Sequence, residues 1–232
     1  MTPGMSPSTS AVQTLCSKRS RTCSAESARD HGLPPGPWPV QLRRQDTWAG
    51  RLEGNSGVGE WLNVPDATNG PAALRDWSPA DGEWYAGQLA DPDIQRFTSE
   101  RLTTTADDFR AALAALRVRP DQAGFAIVDA ATGELAGNIA AELAADGTAD
   151  VSYWVAPAFR RRGIASHALR LICQWITANW QIQEIVLFTH ADNAASQLVA
   201  VRAGFQHQPE HDQLRTVKTQ AWPTRWYSRH PG

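Results

Sequence analysis

Three consecutive arginines, Arg160, Arg161 and Arg162, stand directly before Gly163 and a segment with helical spacing. Like charges side by side repel one another, and an arginine is rarely buried without a partner. A helix N-terminus offers a partial positive charge and unpaired N–H groups, and a glycine lets the backbone approach a ligand closely. Arginine side chains add further donors for phosphate oxygens. The stretch therefore predicts a polyphosphate site, with a solvated basic loop that binds no ligand as the alternative.

The composition of the chain narrows the classes of function. The 232 residues carry a net charge of −2, so we expect no nucleic-acid partner. No apolar stretch reaches the roughly 20 residues that span a membrane, so we expect no membrane partner. Cys16, Cys23 and Cys173 lack the spacing of a disulfide framework or a zinc site, and His207 and His211 fall in a predicted strand–turn region. We therefore expect no metal and a reducing, cytoplasmic location.

The first 70 residues differ from the rest of the chain. They contain 7 Pro, 8 Gly and 8 Ser, and no window in them repeats with the period of a strand or a helix. We predict a disordered or low-complexity extension over residues 1–70 and a folded domain over residues 71–232. A start assigned upstream of the true one, an organellar targeting segment, and local order around Trp38, Trp48 and Trp61 are the alternatives.

Regular hydrophobic patterns begin near residue 72 and alternate between strand and helix periods. Ser78, Thr105 and Asn193 occupy helix N-cap positions, and Gly204 follows the last predicted helix. The predicted order is strand "AALRDW", helices after Ser78 and Thr105, hairpin "GFAIVD" to "ELAGNIAAEL", strand "TADVSYWV", helix 164–180, strand "EIVLFTH", the Asn193 helix and two edge strands in "LRTVKTQAWPTRWYSR". This order predicts an α/β fold with a mixed, mostly antiparallel central sheet flanked by helices.

The strand "TADVSYWV" runs up to the arginine loop, so its two faces matter for any ligand there. Side chains alternate along a strand, and each face takes every second residue. We expect one face to carry Val151, Tyr153 and Val155, and the other to carry Asp150, Ser152 and Trp154.

The arginine loop and its surroundings resemble a known family. "RRRGIA", from Arg160 to Ala165, matches the [QR]-x-x-G-x-[GA] motif of the Gcn5-related N-acetyltransferases (GNAT), and it follows a strand that ends "YWVAP". The segment from Asn193 to Phe205 resembles that family's N-x-x-S-x-x-x-x-x-x-x-G-F pattern. "ADVSYWVAPAFRRRGIA" is most similar to the RimJ/RimL-type branch, which acetylates N-terminal amines of ribosomal proteins and related substrates. The resemblance covers about residues 72–230.

The resemblance implies that the ligand is acetyl-CoA. The pantetheine arm would pair like an extra strand with the edge near Trp154 and Val155, because two central strands splay apart there in this family. The backbone N–H of Val155 would hold the thioester carbonyl and stabilise the oxyanion, and Asn193 would contact the pantetheine arm. The pyrophosphate would rest on the loop residues Arg160, Arg161, Arg162, Gly163, Ile164, Ala165 and Ser166.

The resemblance also places the hydroxyl of Ser196 near the CoA sulfur, where it would donate a proton to the leaving thiolate. Three residues are alternatives for the base that takes a proton from the amine. Asp150 stands where many relatives have a longer Glu, His190 ends a strand beside the expected cleft, and Glu142 is the third. Cys173 lies in the middle of an apolar helix, and we expect it to be structural.

We therefore expect an acetyl-CoA-dependent N-acetyltransferase that transfers the acetyl group directly, without an acyl-enzyme. The first choice of acceptor is a protein or peptide N-terminal α-amine, and a small-molecule amine such as an aminoglycoside or polyamine is the alternative. A non-catalytic CoA-binding or interaction module is the alternative from another class. The sequence is compatible with a monomer or a homodimer.

Overall fold

An eight-stranded sheet forms the centre of the computed structural model, which describes residues 70–231. Neighbouring strands are antiparallel, except that β4 and β5 run parallel, and the predicted fold class is confirmed. The sheet order is β1-β2-β3-β4-β5-β8-β6, and β7 also pairs with β8. The strands are β1 (Ala72–Asp76), β2 (Gln122–Asp129), β3 (Leu135–Leu143), β4 (Thr148–Val155), β5 (Glu184–His190), β6 (Gln206–His207), β7 (Gln213–Val217) and β8 (Gln220–Arg229).

Within residues 70–231, five α-helices connect the strands, and side-chain caps mark the starts of α2, α3 and α5. Ser78 and Thr105 form capping boxes with Asp81 and Asp108, as the sequence predicts, and each box satisfies two backbone N–H groups. A 3-10 turn over Pro79–Asp81 leads into the first helix. The helices are α1 (Gly82–Gln88), α2 (Pro92–Phe97), α3 (Ala106–Leu116), α4 (Ile164–Asn179) and α5 (Ala194–Arg202).

Two short elements escaped the sequence prediction. Helix α2 has six residues, too few to show a hydrophobic period, although Asp91 caps it and Pro92 occupies its first position. Strand β6 has two residues and is defined by its pairing with β8. Helix α2 matters for function because it lies along the cleft described below.

The prediction that both final strands are edge strands is wrong for β8. This strand pairs with β5 on one side and with β6 and β7 on the other. Pro223 is tolerated because the β5 pairing begins one residue later, at Thr224. The carbonyl of Pro223 accepts a hydrogen bond from the Ala191 N–H, just past the end of β5, so the missing proline N–H faces no ladder partner.

The two faces of the sheet have separate apolar layers. Helices α4 and α5 cover one face, where Ile164, Leu169 and Ile172 are fully buried. Helices α1 and α3 cover the other, and their cluster includes Trp154 of β4. The predicted faces of β4 are confirmed, because Val151, Tyr153 and Val155 belong to the first layer. Full burial of a large aliphatic side chain stabilises the fold by about 1.5–3 kcal/mol.

Two sequence predictions concern regions beyond the sheet. The extension predicted over residues 1–70 lies, apart from Gly70, outside the described residues. Among the helices in residues 70–231, none has the length and apolar character needed to cross a bilayer.

Candidate active site

The parallel strands β4 and β5 pair only at their first three residues and then separate. Pairing joins Thr148, Ala149 and Asp150 to the start of β5, after which β4 continues unpaired on this side to Val155. The separation opens a cleft of about 620 Å³. Trp154 and Val155 line it, at the place where the sequence resemblance led us to expect the splay.

The backbone of Val155 faces this gap. Ala156 donates its N–H to the carbonyl of Ala136 at the edge of β3, with an N···O distance of 2.8 Å. Backbone groups alternate in direction along a strand, so the N–H of Val155 points to the opposite edge, where β5 has moved away. The carbonyl of Val155 points the same way and accepts a hydrogen bond from Arg160 Nε at 3.0 Å. The gap therefore receives the backbone N–H of Val155, which can hold an oxyanion.

The arginine loop ends in a helix N-terminus that opens onto the cleft. Arg161 and Gly163 both have left-handed backbone conformations, with φ of 63° and 78°. Gly163 precedes α4, and no side chain within the described residues caps this N-terminus. A Cβ on Gly163 would meet only Pro71, at 3.7 Å, so the loop surface is open at this point. The loop residues that line the cleft are Arg160, Arg161, Gly163, Ile164, Ala165 and Ser166.

The side chains of the three arginines differ from the expectation that all of them supply free donors. Arg160 binds Asp91 at 2.5 Å and Asp93 at 2.9 Å, which ties the loop to α2. Burial opposes ionisation of Asp91, but hydrogen bonds from Arg160 and from the helix backbone outweigh it and lower the pKa of Asp91. Arg162 lies 3.4 Å from Asp129 and does not line the cleft. Within residues 70–231, Arg161 forms no ion pair, and it lines the cleft.

A pair of hydroxyls lies on the α4 and α5 side of the gap. Asn193 caps α5 by accepting a hydrogen bond from the Ser196 N–H at 3.0 Å, and both residues line the cleft. The hydroxyl of Ser196 is hydrogen bonded to that of Tyr153 at 2.8 Å. Burial raises the pKa of Tyr153 above its ordinary value, so this hydroxyl keeps its proton. Tyr153 can therefore hold Ser196 in place without carrying charge.

The three predicted alternatives for the base lie outside the set of residues that line the cleft. Asp150 is on the paired part of β4, below the splay. Glu142 is opposite Asp150 on β3 and accepts a hydrogen bond from Gln122 at 3.3 Å. The ring of His190 packs against Phe97 and Trp222, and its Nδ1 accepts a hydrogen bond from the Asp192 N–H. None of these three side chains lines the cleft.

A carboxylate that the sequence interpretation missed lies on the cleft wall instead. Glu100 follows α2, is only 3% exposed and lines the cleft on the α1 and α3 side of the sheet. Its Oε1 accepts hydrogen bonds from the Tyr85 hydroxyl at 2.5 Å and from Trp154 Nε1 at 3.1 Å. Burial raises the pKa of Glu100 from 4.5 to about 7, against the opposing effects of Tyr85, Trp154 and the positive charge of Lys218. Because Glu100 lies in the polar loop "TSER", its burial leaves no sequence signal.

Burial of the Glu100 carboxylate lowers the free energy of unfolding at neutral and alkaline pH by a measurable amount. The carboxyl has a higher pKa folded than unfolded, so its contribution to stability is complete below pH 4.5 and is lost as the pH rises through about 7. We expect Glu100→Gln to stabilise the fold by on the order of 2–3 kcal/mol at pH 8, because the amide keeps an acceptor for Tyr85 and Trp154 without charge. Urea unfolding at pH 8 and pH 5 measures this, with a clearly smaller gain at pH 5. An equal effect at both pH values would contradict the burial argument.

Two further predictions concern residues away from the cleft wall. Cys173 is buried in α4, and burial raises the pKa of its thiol to about 12, so no thiolate is available near neutral pH.

His207 is hydrogen bonded to Asp212 at 3.0 Å. Within residues 70–231, no group of three His, Cys, Asp or Glu side chains is arranged to hold a metal ion.

A sheet that splays beside a glycine-initiated helix is the arrangement expected of an enzyme that takes an acyl group from CoA. Residues 72–206 match the family described as the acetyltransferase (GNAT) domain, which is more than half of the chain. The chain therefore belongs to the GNAT acetyltransferase family. It is an N-acetyltransferase, and acetyl-CoA is its co-substrate.

Solved structures share this fold at low sequence identity. RimL, a ribosomal L7/L12 alpha-N-protein acetyltransferase in complex with coenzyme A, is 18% identical with a TM-score of 0.60, over 74% of this chain and 98% of its own. Spermidine N-acetyltransferase from Vibrio cholerae, with CoA and spermine, is 13% identical with a TM-score of 0.61, over 69% and 95%. The microcin C7 self-immunity acetyltransferase MccE, with acetyl-CoA and AMP, is 16% identical with a TM-score of 0.60, over 72% and 98%. A comparison with curated protein sequences finds no match.

Proposed function

We propose that this protein acetylates the N-terminal α-amine of a peptide or protein by direct transfer from acetyl-CoA. The observation that carries the proposal is that the gap between β4 and β5 joins two chemically different walls. Ser196 and Tyr153 lie on the α4 and α5 side, and Glu100 and Trp154 lie on the other. Two substrates can therefore meet at Val155 from opposite faces of the sheet, which direct transfer requires.

Acetyl-CoA is assigned to the wall next to α4. The backbone N–H groups of residues 160–166, together with the guanidinium of Arg161, which has no ion pair within residues 70–231, would bind the pyrophosphate at the helix N-terminus. The pantetheine arm would run along the unpaired edge of β4 toward Val155, past Asn193. This places the thioester carbonyl on the Val155 N–H, where a developing oxyanion gains a hydrogen bond in a site shielded from water.

The transfer itself forms a C–N bond and breaks the C–S bond. The neutral amine attacks the thioester carbon, and the negative charge that develops on the carbonyl oxygen is held by the Val155 N–H. As the tetrahedral intermediate collapses, the C–S bond breaks, and the leaving thiolate takes a proton from the Ser196 hydroxyl. Tyr153, hydrogen bonded to Ser196 at 2.8 Å, holds that hydroxyl in place. The amide product and free CoA then leave.

The charges on the cleft wall favour an acceptor with a single ammonium group. Three acidic residues line the cleft: Asp93, Glu100 and Asp192. Asp93 is paired with Arg160 at 2.9 Å, and Asp192 with Arg96 at 3.2 Å. Glu100 is the one of the three without an ion pair inside the described region. Polyamines and aminoglycosides carry several ammonium groups, and this wall offers too few unpaired carboxylates to match them.

The acidity of the amine also favours an α-amine. A peptide α-amine has an ordinary pKa of about 7.7–8.0, against about 10.4 for lysine. At pH 7, roughly a tenth of an α-amine is neutral, compared with about 0.04% of a lysine. Among the described residues that line the cleft, none is a proton acceptor strong enough to deprotonate most of a lysine, so the substrate must supply most of its own neutral form. The similarity of the loop to the RimJ/RimL-type branch supports the same choice of acceptor.

We expect the enzyme to acetylate peptide N-termini more than tenfold faster than lysines. The test offers one short peptide in two forms, one with a free N-terminus and blocked lysine, the other with a blocked N-terminus and free lysine. Spermidine is offered in parallel, and mass spectrometry locates the acetyl group. Faster modification of lysine would overturn the choice of α-amine. Turnover of spermidine alone would assign a small-molecule acceptor, and binding of acetyl-CoA without any turnover would indicate a non-catalytic module.

A further inference from the structure

We propose that Glu100 is the general base that takes the proton from the attacking ammonium group. This inference rests on the proposed function only in that an amine is the acceptor; it does not depend on which amine. It replaces Asp150, His190 and Glu142, which lie outside the set of residues lining the cleft.

The two oxygens of the Glu100 carboxylate have different surroundings. Oε1 accepts both hydrogen bonds, from the Tyr85 hydroxyl and from Trp154 Nε1, which fix the orientation of the carboxylate. Oε2 makes no hydrogen bond to any residue in the range 70–231. Since Glu100 lines the cleft, this second oxygen is the acceptor available to a substrate or to a bridging water.

Glu100 is hydrogen bonded to Trp154, the residue next to Val155 in the chain. Trp154, whose indole N–H binds Glu100, immediately precedes Val155, whose backbone N–H faces the gap. The carboxylate therefore lines the same cleft as Val155, on the face of the sheet opposite Ser196. An amine approaching the thioester from this face would enter along the wall that carries Glu100.

The charged and titratable neighbours of Glu100 set the pH at which it accepts a proton. Tyr85 of α1 donates a hydrogen bond, and Lys218 of the β7–β8 turn contributes a positive charge; both favour the carboxylate. Burial acts more strongly in the other direction and raises the pKa of Glu100 to about 7. A base that titrates near 7 is matched to an α-amine, because it is ionised when a useful fraction of the amine is already neutral.

The proton balance is complete without another reactant. The ammonium R–NH₃⁺ gives one proton to Glu100, directly or through a water, and becomes R–NH₂. After attack, the nitrogen carries a second surplus proton, which passes to water as the C–S bond breaks; Ser196, which gives its proton to the thiolate, regains one from water. Glu100 returns its proton to solvent when the products leave. The net reaction consumes acetyl-CoA and ammonium and yields amide, CoA and one proton.

The test compares Glu100→Gln with the wild type and with Glu142→Gln, a matched control on β3 outside the cleft wall. At pH 8 we expect Glu100→Gln to lower kcat about 100-fold with whichever amine the enzyme acetylates, while acetyl-CoA affinity stays unchanged. The ratio of variant to wild-type rates should rise toward one below pH 6, where wild-type Glu100 is protonated. The titration of the substrate cancels in this ratio. A constant ratio, or wild-type activity in the variant, would overturn the assignment.

A second variant keeps the inference testable if Glu100→Gln fails to fold. Tyr85→Phe removes one hydrogen bond to the carboxylate, so the pKa of Glu100 must rise and the acidic limb of the rate profile must move to higher pH. A limb that stays in place would contradict the role of Glu100. A preference for another amine in the peptide experiment would overturn the proposed acceptor. The Glu100→Gln and Tyr85→Phe experiments would still test the role of Glu100 with that amine.

Discussion

Gly163→Asp is expected to weaken acetyl-CoA binding by more than 100-fold. Gly163 has a φ of 78° and lines the cleft at the start of α4. An Asp there would place a carboxylate against the pyrophosphate; two charges about 5 Å apart repel by roughly 3 kcal/mol at an effective dielectric constant near 20. Asp tolerates the left-handed conformation better than most residues, so the helix should still form. Isothermal titration with acetyl-CoA measures the loss.

Two control variants separate charge from backbone strain. Gly163→Asn has nearly the same shape without charge and should lose far less affinity. Gly133→Asp places the same charge at a left-handed glycine, φ 73°, in the β2–β3 turn, away from the cleft. It should bind acetyl-CoA like the wild type. If Gly163→Asn and Gly163→Asp were equally weak, strain rather than phosphate recognition would explain the effect.

Val155→Pro is expected to lower kcat by about 10²–10³, because it removes the N–H that faces the gap. The ladder to β3 should survive, since the neighbouring Ala156 N–H makes that bond. Acetyl-CoA should still bind, because the interaction lost is strongest with the oxyanion and weak with the ground-state carbonyl. Initial rates over a range of acetyl-CoA concentrations separate kcat from KM.

Val155→Ala serves as the control for Val155→Pro. It shortens the side chain and keeps the backbone N–H, so its kcat should stay within a fewfold of the wild type. Melting temperatures of both variants establish that the sheet remains intact. Equal losses in the two variants would show that the side chain, rather than the N–H, matters at this position.

The sequence predicted the local structure of the arginine loop and of α5 better than the cleft wall that carries Glu100, for a physical reason. Nucleotide phosphates are bound by backbone groups in a local strand–loop–helix segment, and local segments leave a readable pattern in consecutive residues. The glycine at position 163, the cap at Asn193 and the alternation in β4 were all visible in this way. The splay of β4 from β5 was expected from the family resemblance and not from this local pattern.

The cleft wall that carries Glu100 depends on contacts between distant parts of the chain. Glu100 becomes a cleft carboxylate because Tyr85 and Trp154, 15 and 54 residues away, both donate to it. The two carboxylates that engage Arg160 come from α2, 67 and 69 residues away. No regular spacing in the sequence links residues this far apart. Helix α2, which begins between the two Arg160 partners, is too short to show a hydrophobic period. Asp150 and His190 were chosen from their positions on strands, which do not reveal what lines a cleft.

The most direct test is a crystal structure with a bisubstrate analogue, in which CoA is joined through its acetyl group to the N-terminal nitrogen of a short peptide. We predict the pyrophosphate on the backbone of residues 160–166 and the acetyl oxygen on the Val155 N–H. We also predict the peptide nitrogen on the Glu100 side of the sheet, about 3 Å from Oε2 or bridged to it by one water. A peptide nitrogen on the Ser196 side, or beside Asp150 or His190, would contradict the proposed mechanism.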